Sequence, residues 1–278
     1  MRRSTAPGTM RGVMNTQGDW ADLGSCRLRY ECAGDGPPLM FVHGYGLDRR
    51  MWDAEFERLA RRYTVVRHDC RGFGESTGKL DDHYTHGGDL LALMDHLGLE
   101  RALLTGLSMG TQTVLEVAVT HPERVAGLVL PGPWLADYPF SKDYQEMWLL
   151  LARQAQDYGL EEAKDMWRES MLYNLEERSP EAGRRLREIM DSWSGWHLEH
   201  LAHFPYTRVS ERLGEVSVPT LVVLGSLDLP DFKGVAERIA DRVPGARCEV
   251  LEGVGHLPNM EGPEEFAACV DGFLAGVE

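Results

Sequence analysis

Residues 101–120 read Arg-Ala-Leu-Leu-Thr-Gly-Leu-Ser-Met-Gly-Thr-Gln-Thr-Val-Leu-Glu-Val-Ala-Val-Thr. The run Arg101–Thr105 has the length and apolarity of a buried strand, and Thr111–Thr120 carries helical spacing. Only Gly106-Leu107-Ser108-Met109-Gly110 separates them. A strand that turns straight into a helix forces strained backbone at the corner, and small residues on either side let the turn close. Ser108 then stands at the carboxyl edge of a sheet and at a helix N-terminus. There its hydroxyl can attack, and backbone N–H groups can hold an oxyanion. The competing reading is an N-cap serine with glycines placed for turn geometry.

The same alternation continues outward. Upstream, Pro37-Pro38 introduces the buried run Leu39–Val42, which ends at His43-Gly44-Tyr45-Gly46. Residues 51–62 have helical spacing, Tyr63–Val66 reads as a second buried strand, and a polar, Gly-rich loop runs from Asp69 to Gly78. Tyr84–Leu97 is amphipathic and stops at Gly98. Downstream, Val125–Leu130, Thr220–Leu224 and Cys248–Leu251 read as strands, and 233–243 and 263–274 as helices. Residues 20–33 alternate around Gly24-Ser25 as a hairpin would. Strands alternating with helices predict an α/β protein with a mostly parallel central sheet covered on both faces. Residues 134–213 show helical periodicity alone, as an inserted cap would. The expected organisation is a disordered tail over 1–19, a core made of 20–133 and 214–278, and a helical cap over 134–213.

Composition narrows the function. The 278 residues are 43% hydrophobic, enough for a sizeable core, and carry a net charge of −15. A surface this acidic repels phosphate backbones and anionic lipids, which argues against nucleic acid and membrane partners. The N-terminal stretch has basic residues but no apolar core of a secretory signal. Five cysteines, an odd number without a C-x-x-C, read as reduced thiols and a cytoplasmic protein. Nothing in the sequence points to homo-oligomers.

A serine nucleophile at neutral pH needs a base, and the base needs an orienting carboxylate. His256 lies in Gly253-Val254-Gly255-His256-Leu257-Pro258, just after the last predicted strand. Asp228 lies in Gly225-Ser226-Leu227-Asp228, just after the strand at 220–224. Both positions are carboxyl ends of sheet strands, where ligand crevices form. Asp231 is the rival acid, three residues further from the strand. The chain order Ser108, Asp228, His256 differs from that of the two other well-known serine triads. A second oxyanion donor must come from a neighbouring loop. The turn after Leu39–Val42 supplies the N–H of Tyr45, and Met109 supplies the one that follows the nucleophile. His43, Gly44 and Trp134 are the substrate-binding candidates, with His43 also placed to brace its own loop.

These residues fall in motifs that together resemble the α/β-hydrolase superfamily: H-G-Y-G at 43–46, D-x-R-G-F-G-x-S at 69–76, G-L-S-M-G at 106–110, H-P-E-R-V at 121–125, G-S-L-D at 225–228 and G-V-G-H-L-P at 253–258. The chain is most similar to the bacterial group that holds enol-lactone hydrolases, small esterases, carbon–carbon bond hydrolases and perhydrolases. The resemblance implies nucleophile, acid and base at Ser108, Asp228 and His256, oxyanion donors at Tyr45 and Met109, and no cofactor or metal. Thr111 departs from the pattern, since many relatives have a glycine there. Relatives of this fold that act on alkyl halides and epoxides carry aspartate at the nucleophile position. Serine disfavours those activities, because an alkyl ether on the enzyme resists hydrolysis whereas an acyl ester does not.

The predicted cap holds five of the seven tryptophans, Trp134, Trp148, Trp167, Trp193 and Trp196. Most should pack the cap onto the core, and some should roof a pocket for a medium-sized hydrophobic substrate. His197, His200 and His203 follow an i, i+3, i+6 spacing that suits a polar helix face or a substrate contact better than a metal site. The expected activity is hydrolysis of an ester, thioester or lactone. The alternatives are carbon–carbon hydrolysis, lyase or acyl-transfer chemistry with the same triad, and ligand binding without catalysis.

Overall fold

The strands lie side by side in the order β1 (Gln17–Asp22), β2 (Cys26–Ala33), β4 (Thr64–His68), β3 (Pro38–Val42), β6 (Ala102–Gly106), β7 (Val125–Pro131), β8 (Thr220–Gly225) and β9 (Arg247–Leu251), with the two-residue strand β5 (Thr77–Gly78) paired to β2. A computed structural model of the chain describes residues 17–80, 84–170, 175–200 and 206–277. Strands β1 and β2 form an antiparallel hairpin, and β2 also pairs antiparallel with β4 and β5. From β4 onward the sheet is parallel through β3, β6, β7, β8 and β9. Strands β6 and β8 are buried at every residue, as strands covered on both faces must be. Strand β9 closes the edge, and four of its five residues are exposed.

The flanking helices are α1 (Asp53–Leu59), α2 (His86–His96), α3 (Met109–Thr120), α8 (Pro230–Arg242), α9 (Pro258–Glu261) and α10 (Pro263–Leu274). Between β7 and β8 lie α4 (Lys142–Tyr158), α5 (Leu160–Arg168), α6 (Pro180–Asp191) and α7 (Trp196–Glu199), with no strand among the described residues. Side chains tie both ends of this helical stretch to α3 and to each other. Gln112 donates from Nε2 to the Thr207 carbonyl and accepts the Ala136 N–H at Oε1. The Asp137 carboxylate accepts the Ser210 hydroxyl at 2.7 Å.

Three sequence expectations need correction. The tail boundary at 19 falls inside β1, because Gln17, Gly18 and Asp19 pair with Cys32, Glu31 and Tyr30. Backbone pairing carries a strand past the end of its apolar pattern. Residues 1–16 and His203 lie outside the described residues. The helix over 51–62 divides into a 3-10 turn at Arg49–Trp52 and α1, because Asp48 caps the turn by accepting the Arg50 N–H. The helix expected from 233 starts at Pro230, whose missing N–H costs nothing in a first turn.

Candidate active site

Because β3, β6, β7, β8 and β9 are parallel, their carboxyl ends lie on one edge of the sheet. That edge gathers His43–Gly46, Ser108, Pro131–Trp134, Asp228 and His256. Ser108 adopts φ 54° and ψ −113°, and it alone among the described non-glycine residues has positive φ. Such backbone costs about 1–2 kcal/mol and persists only where the surroundings enforce it. Here they do. A Cβ at Gly106 would fall on the Gly110 carbonyl, and one at Gly110 would press on the Val42 carbonyl. The Ser108 side chain makes no cap bond to its helix, so the N-cap reading fails. Thr111 is fully buried and spends its hydroxyl on the Gly106 carbonyl at 2.8 Å. It pins the corner from inside, which gives the departure from the family pattern a structural role.

The Ser108 N–H donates to the Pro131 carbonyl at 3.3 Å, and Ser108 forms a bridge with Pro133. On the same segment, a Cβ at Gly132 would lie 3.3 Å from His256 Nδ1. The end of β7 therefore has the serine and the histidine as neighbours. His256 Nδ1 meets Asp228 Oδ2 at 2.9 Å and Oδ1 at 3.2 Å, both side chains being buried. Asp231 turns elsewhere and accepts the Ser141 N–H and hydroxyl at the start of α4. Asp228 is thus the partner of His256. Phe232 packs on the imidazole at 4.2 Å between ring centroids.

Gly44 approaches the corner closely, since a Cβ there would sit 3.5 Å from Ser108 Cβ and 2.9 Å from a Leu107 methyl. Tyr45 follows it, and Met109 opens α3. The two expected oxyanion donors thus belong to segments on either side of Ser108. The substrate-binding expectation for His43 needs correction. Its Nε2 accepts the Cys70 N–H at 2.9 Å and its Nδ1 meets the Gly44 carbonyl at 2.8 Å, so both nitrogens are used. Burial pushes its pKa below the ordinary value, and the neutral ring braces the loop. Trp134 is half-buried beside Pro133 and stacks with Phe140, which stacks in turn on Tyr144.

Two supporting groups escaped the sequence reading. Glu261 accepts the N–H groups of Gly255 at 2.8 Å and Leu257 at 3.1 Å, the residues on either side of His256, and pairs with Arg178 at 2.9 Å. The only available sequence signal was its place five residues beyond the histidine. Asp69, fully buried, accepts the Arg49 N–H and guanidinium and the Glu75 N–H. Gly74 has φ 51°, and a Cβ there would fall on that carboxylate, so glycine is required. This network shapes the loop that presents Phe73.

The sequence model of the alpha/beta hydrolase fold family matches residues 37–263, and the chain belongs to that family. It is 25% identical over 252 residues to a pimeloyl-[acyl-carrier protein] methyl ester esterase of Nitrosomonas europaea, covering 88% of this chain and 98% of the relative. It is 25% identical over 256 residues to 3-oxoadipate enol-lactonase 2 of Acinetobacter baylyi, covering 89% and 92%. The crystal structure of an enol-lactonase from Burkholderia xenovorans LB400 superposes with a TM-score of 0.80 at 26% identity, over 92% of this chain and 100% of that one. No helix among the described residues is long and apolar enough to cross a membrane.

Proposed function

We propose that the protein is a serine hydrolase that cleaves an ester, thioester or lactone through an acyl-enzyme on Ser108. The observation that carries this reading is the strained, uncapped Ser108 at the head of α3, on the sheet edge that also holds the buried His256–Asp228 pair. The Asp228 carboxylate holds the proton of His256 on Nδ1, which leaves Nε2 to take the Ser108 hydroxyl proton. As Oγ attacks the carbonyl carbon, the carbonyl π pair moves to oxygen and is held by the N–H groups of Tyr45 and Met109. Collapse expels the alcohol or thiol, protonated by His256. Water, deprotonated by the same nitrogen, then attacks the acyl ester and frees the acid and Ser108.

The ester and lactone relatives support the bond type. The aromatic rings around Tyr45 and His256 support a substrate of medium size and apolar character. On this reading α4–α7 act as a cap over the serine, the partner is a small molecule, and the five free cysteines suit the cytoplasm.

Intact-mass spectrometry after treatment with a fluorophosphonate tests the reading. Attack by Oγ on phosphorus with loss of fluoride should add one adduct to the wild type and none to folded Ser108→Ala. Absence of an adduct on the wild type, together with no turnover of p-nitrophenyl esters, thioesters and lactones, would overturn it.

A further inference from the structure

Phe73, at the tip of the Asp69–Ser76 loop, is a hub for rings from other parts of the chain. His43 packs edge-on at 5.4 Å between centroids, Tyr45 edge-on at 5.8 Å, and His197 from α7 stacks at 4.2 Å with an interplanar angle of 9°. Trp193 lies parallel to Phe73 at 6.5 Å and edge-on to Tyr45 at 5.3 Å, and His197 is 5.9 Å from Tyr45. His197 is only 3% exposed and Trp193 only 2%. Among the described residues, neither ring nitrogen of His197 and not the indole nitrogen of Trp193 has a hydrogen-bond partner. A buried polar atom left without a partner is destabilising and calls for an explanation, which a ligand group hydrogen-bonded to it would supply. The contrast with His200 is direct. That ring stacks on Trp196 at 4.0 Å and its Nδ1 meets the Trp196 carbonyl at 2.9 Å, so the two histidines of the i, i+3 pair part company.

We propose that His197 and the Trp193 N–H form a polar recognition point in the substrate site, reading an uncharged hydrogen-bonding group of the substrate such as a ketone, hydroxyl or amide. The proposal rests on the serine-hydrolase reading above, because it places this point beside the ring of Tyr45, whose backbone N–H that reading assigns to the oxyanion. The chemistry of the three atoms sets the class. A neutral imidazole offers one donor and one acceptor, and the indole offers one donor. Burial holds His197 neutral by pushing its pKa down to about 3, so it is no counter-ion for a carboxylate. The surrounding rings exclude water, which makes a matched uncharged group favourable and an unmatched methylene costly. His197 is a specificity-determining residue on this view.

The test compares p-nitrophenyl 4-oxopentanoate and 6-oxoheptanoate with the plain pentanoate and heptanoate, which differ by one ketone each. The wild type should favour at least one keto ester over its control by about tenfold in kcat/KM, the change appearing in KM. His197→Phe keeps the stacking on Phe73 and removes both nitrogens. It should bring kcat/KM for each keto ester level with that of its plain control, and His197→Gln should restore part of the difference. Equal keto and plain ratios in the wild type, or a preference that survives His197→Phe, would overturn the proposal. Binding of the ethyl esters to Ser108→Ala, followed by tryptophan fluorescence, separates the two levels. Keto-selective binding abolished by His197→Phe supports the recognition point even if the wild type turns over no ester, in which case only the hydrolase reading falls. Binding without keto selectivity, or none at all, overturns the recognition point.

Discussion

Replacing Glu261 by glutamine tests how the histidine is held. The carboxylate is 2% exposed and accepts three groups at once: Gly255 N–H at 2.8 Å, Leu257 N–H at 3.1 Å and the Arg178 guanidinium at 2.9 Å. Glutamine keeps the shape but only one oxygen, so its amide N–H must face one of these donors. A hydrogen bond to a charged group contributes about 1.5–3 kcal/mol, so one lost bond plus the donor–donor contact should cost about 2–3 kcal/mol. At about 2–4 °C per kcal/mol the melting midpoint falls by roughly 4–12 °C. The loop carrying His256 relaxes at the same time. A displacement near 1 Å costs on the order of 100-fold, so kcat should fall about 10- to 100-fold while KM stays close to wild type. Scanning calorimetry and steady-state hydrolysis of a p-nitrophenyl ester measure both. Arg178→Met removes only the tie from the helical insertion, and with Arg178 31% exposed it should cost about 1 kcal/mol or less. If Glu261→Gln melts within about 1 °C of wild type and keeps its kcat, the clamp has no role in holding the histidine.

Further substitutions separate neighbouring roles. Asp228→Asn should lower kcat by about 10³- to 10⁴-fold by freeing the wrong imidazole tautomer. Asp231→Asn should keep kcat and cost about 1 kcal/mol at the start of α4, and equal losses in both would refute the assignment. Gly74→Ala, at φ 51° against the Asp69 carboxylate, should destabilise by about 2–4 kcal/mol, read by urea denaturation. Glu55 is buried in α1 and its pKa is raised from 4.5 to about 7. The raised value favours the protonated native state below pH 4.5, and that contribution is lost as pH rises to about 7. Over that window the wild type should lose about 3 kcal/mol relative to Glu55→Gln, and parallel stability curves for the two proteins would contradict it.

The sequence carried the parts of the site that depend on local backbone. The corner at 106–110 was legible because a strand can meet a helix there only with small residues on both sides, and Ser108 has the positive φ that such a corner demands. Asp228 and His256 were legible because each directly follows an apolar run. The parallel strands followed from the same apolar runs, and the hairpin from the alternation around Gly24-Ser25. The end of the N-terminal tail was misjudged because Gln17–Asp19 are held by pairing with β2, which leaves no local pattern.

What the sequence by itself determined is therefore the alternation of strands and helices, the strained serine corner and the residues at strand ends. Only the tertiary structure decided which partners those residues have. It put Asp228 rather than Asp231 on His256, gave His43 the bracing role that the sequence had offered beside substrate contact, and recruited Glu261 and Gln112 as ties. It also separated His197 from His200, which are three residues apart and stack on different rings. The physical reason is range. Backbone strain and hydrophobic periodicity act within a few residues and leave their mark in the local sequence. A hydrogen bond between side chains distant along the chain has no local signature, and it exists only once the sheet has brought its strand ends together.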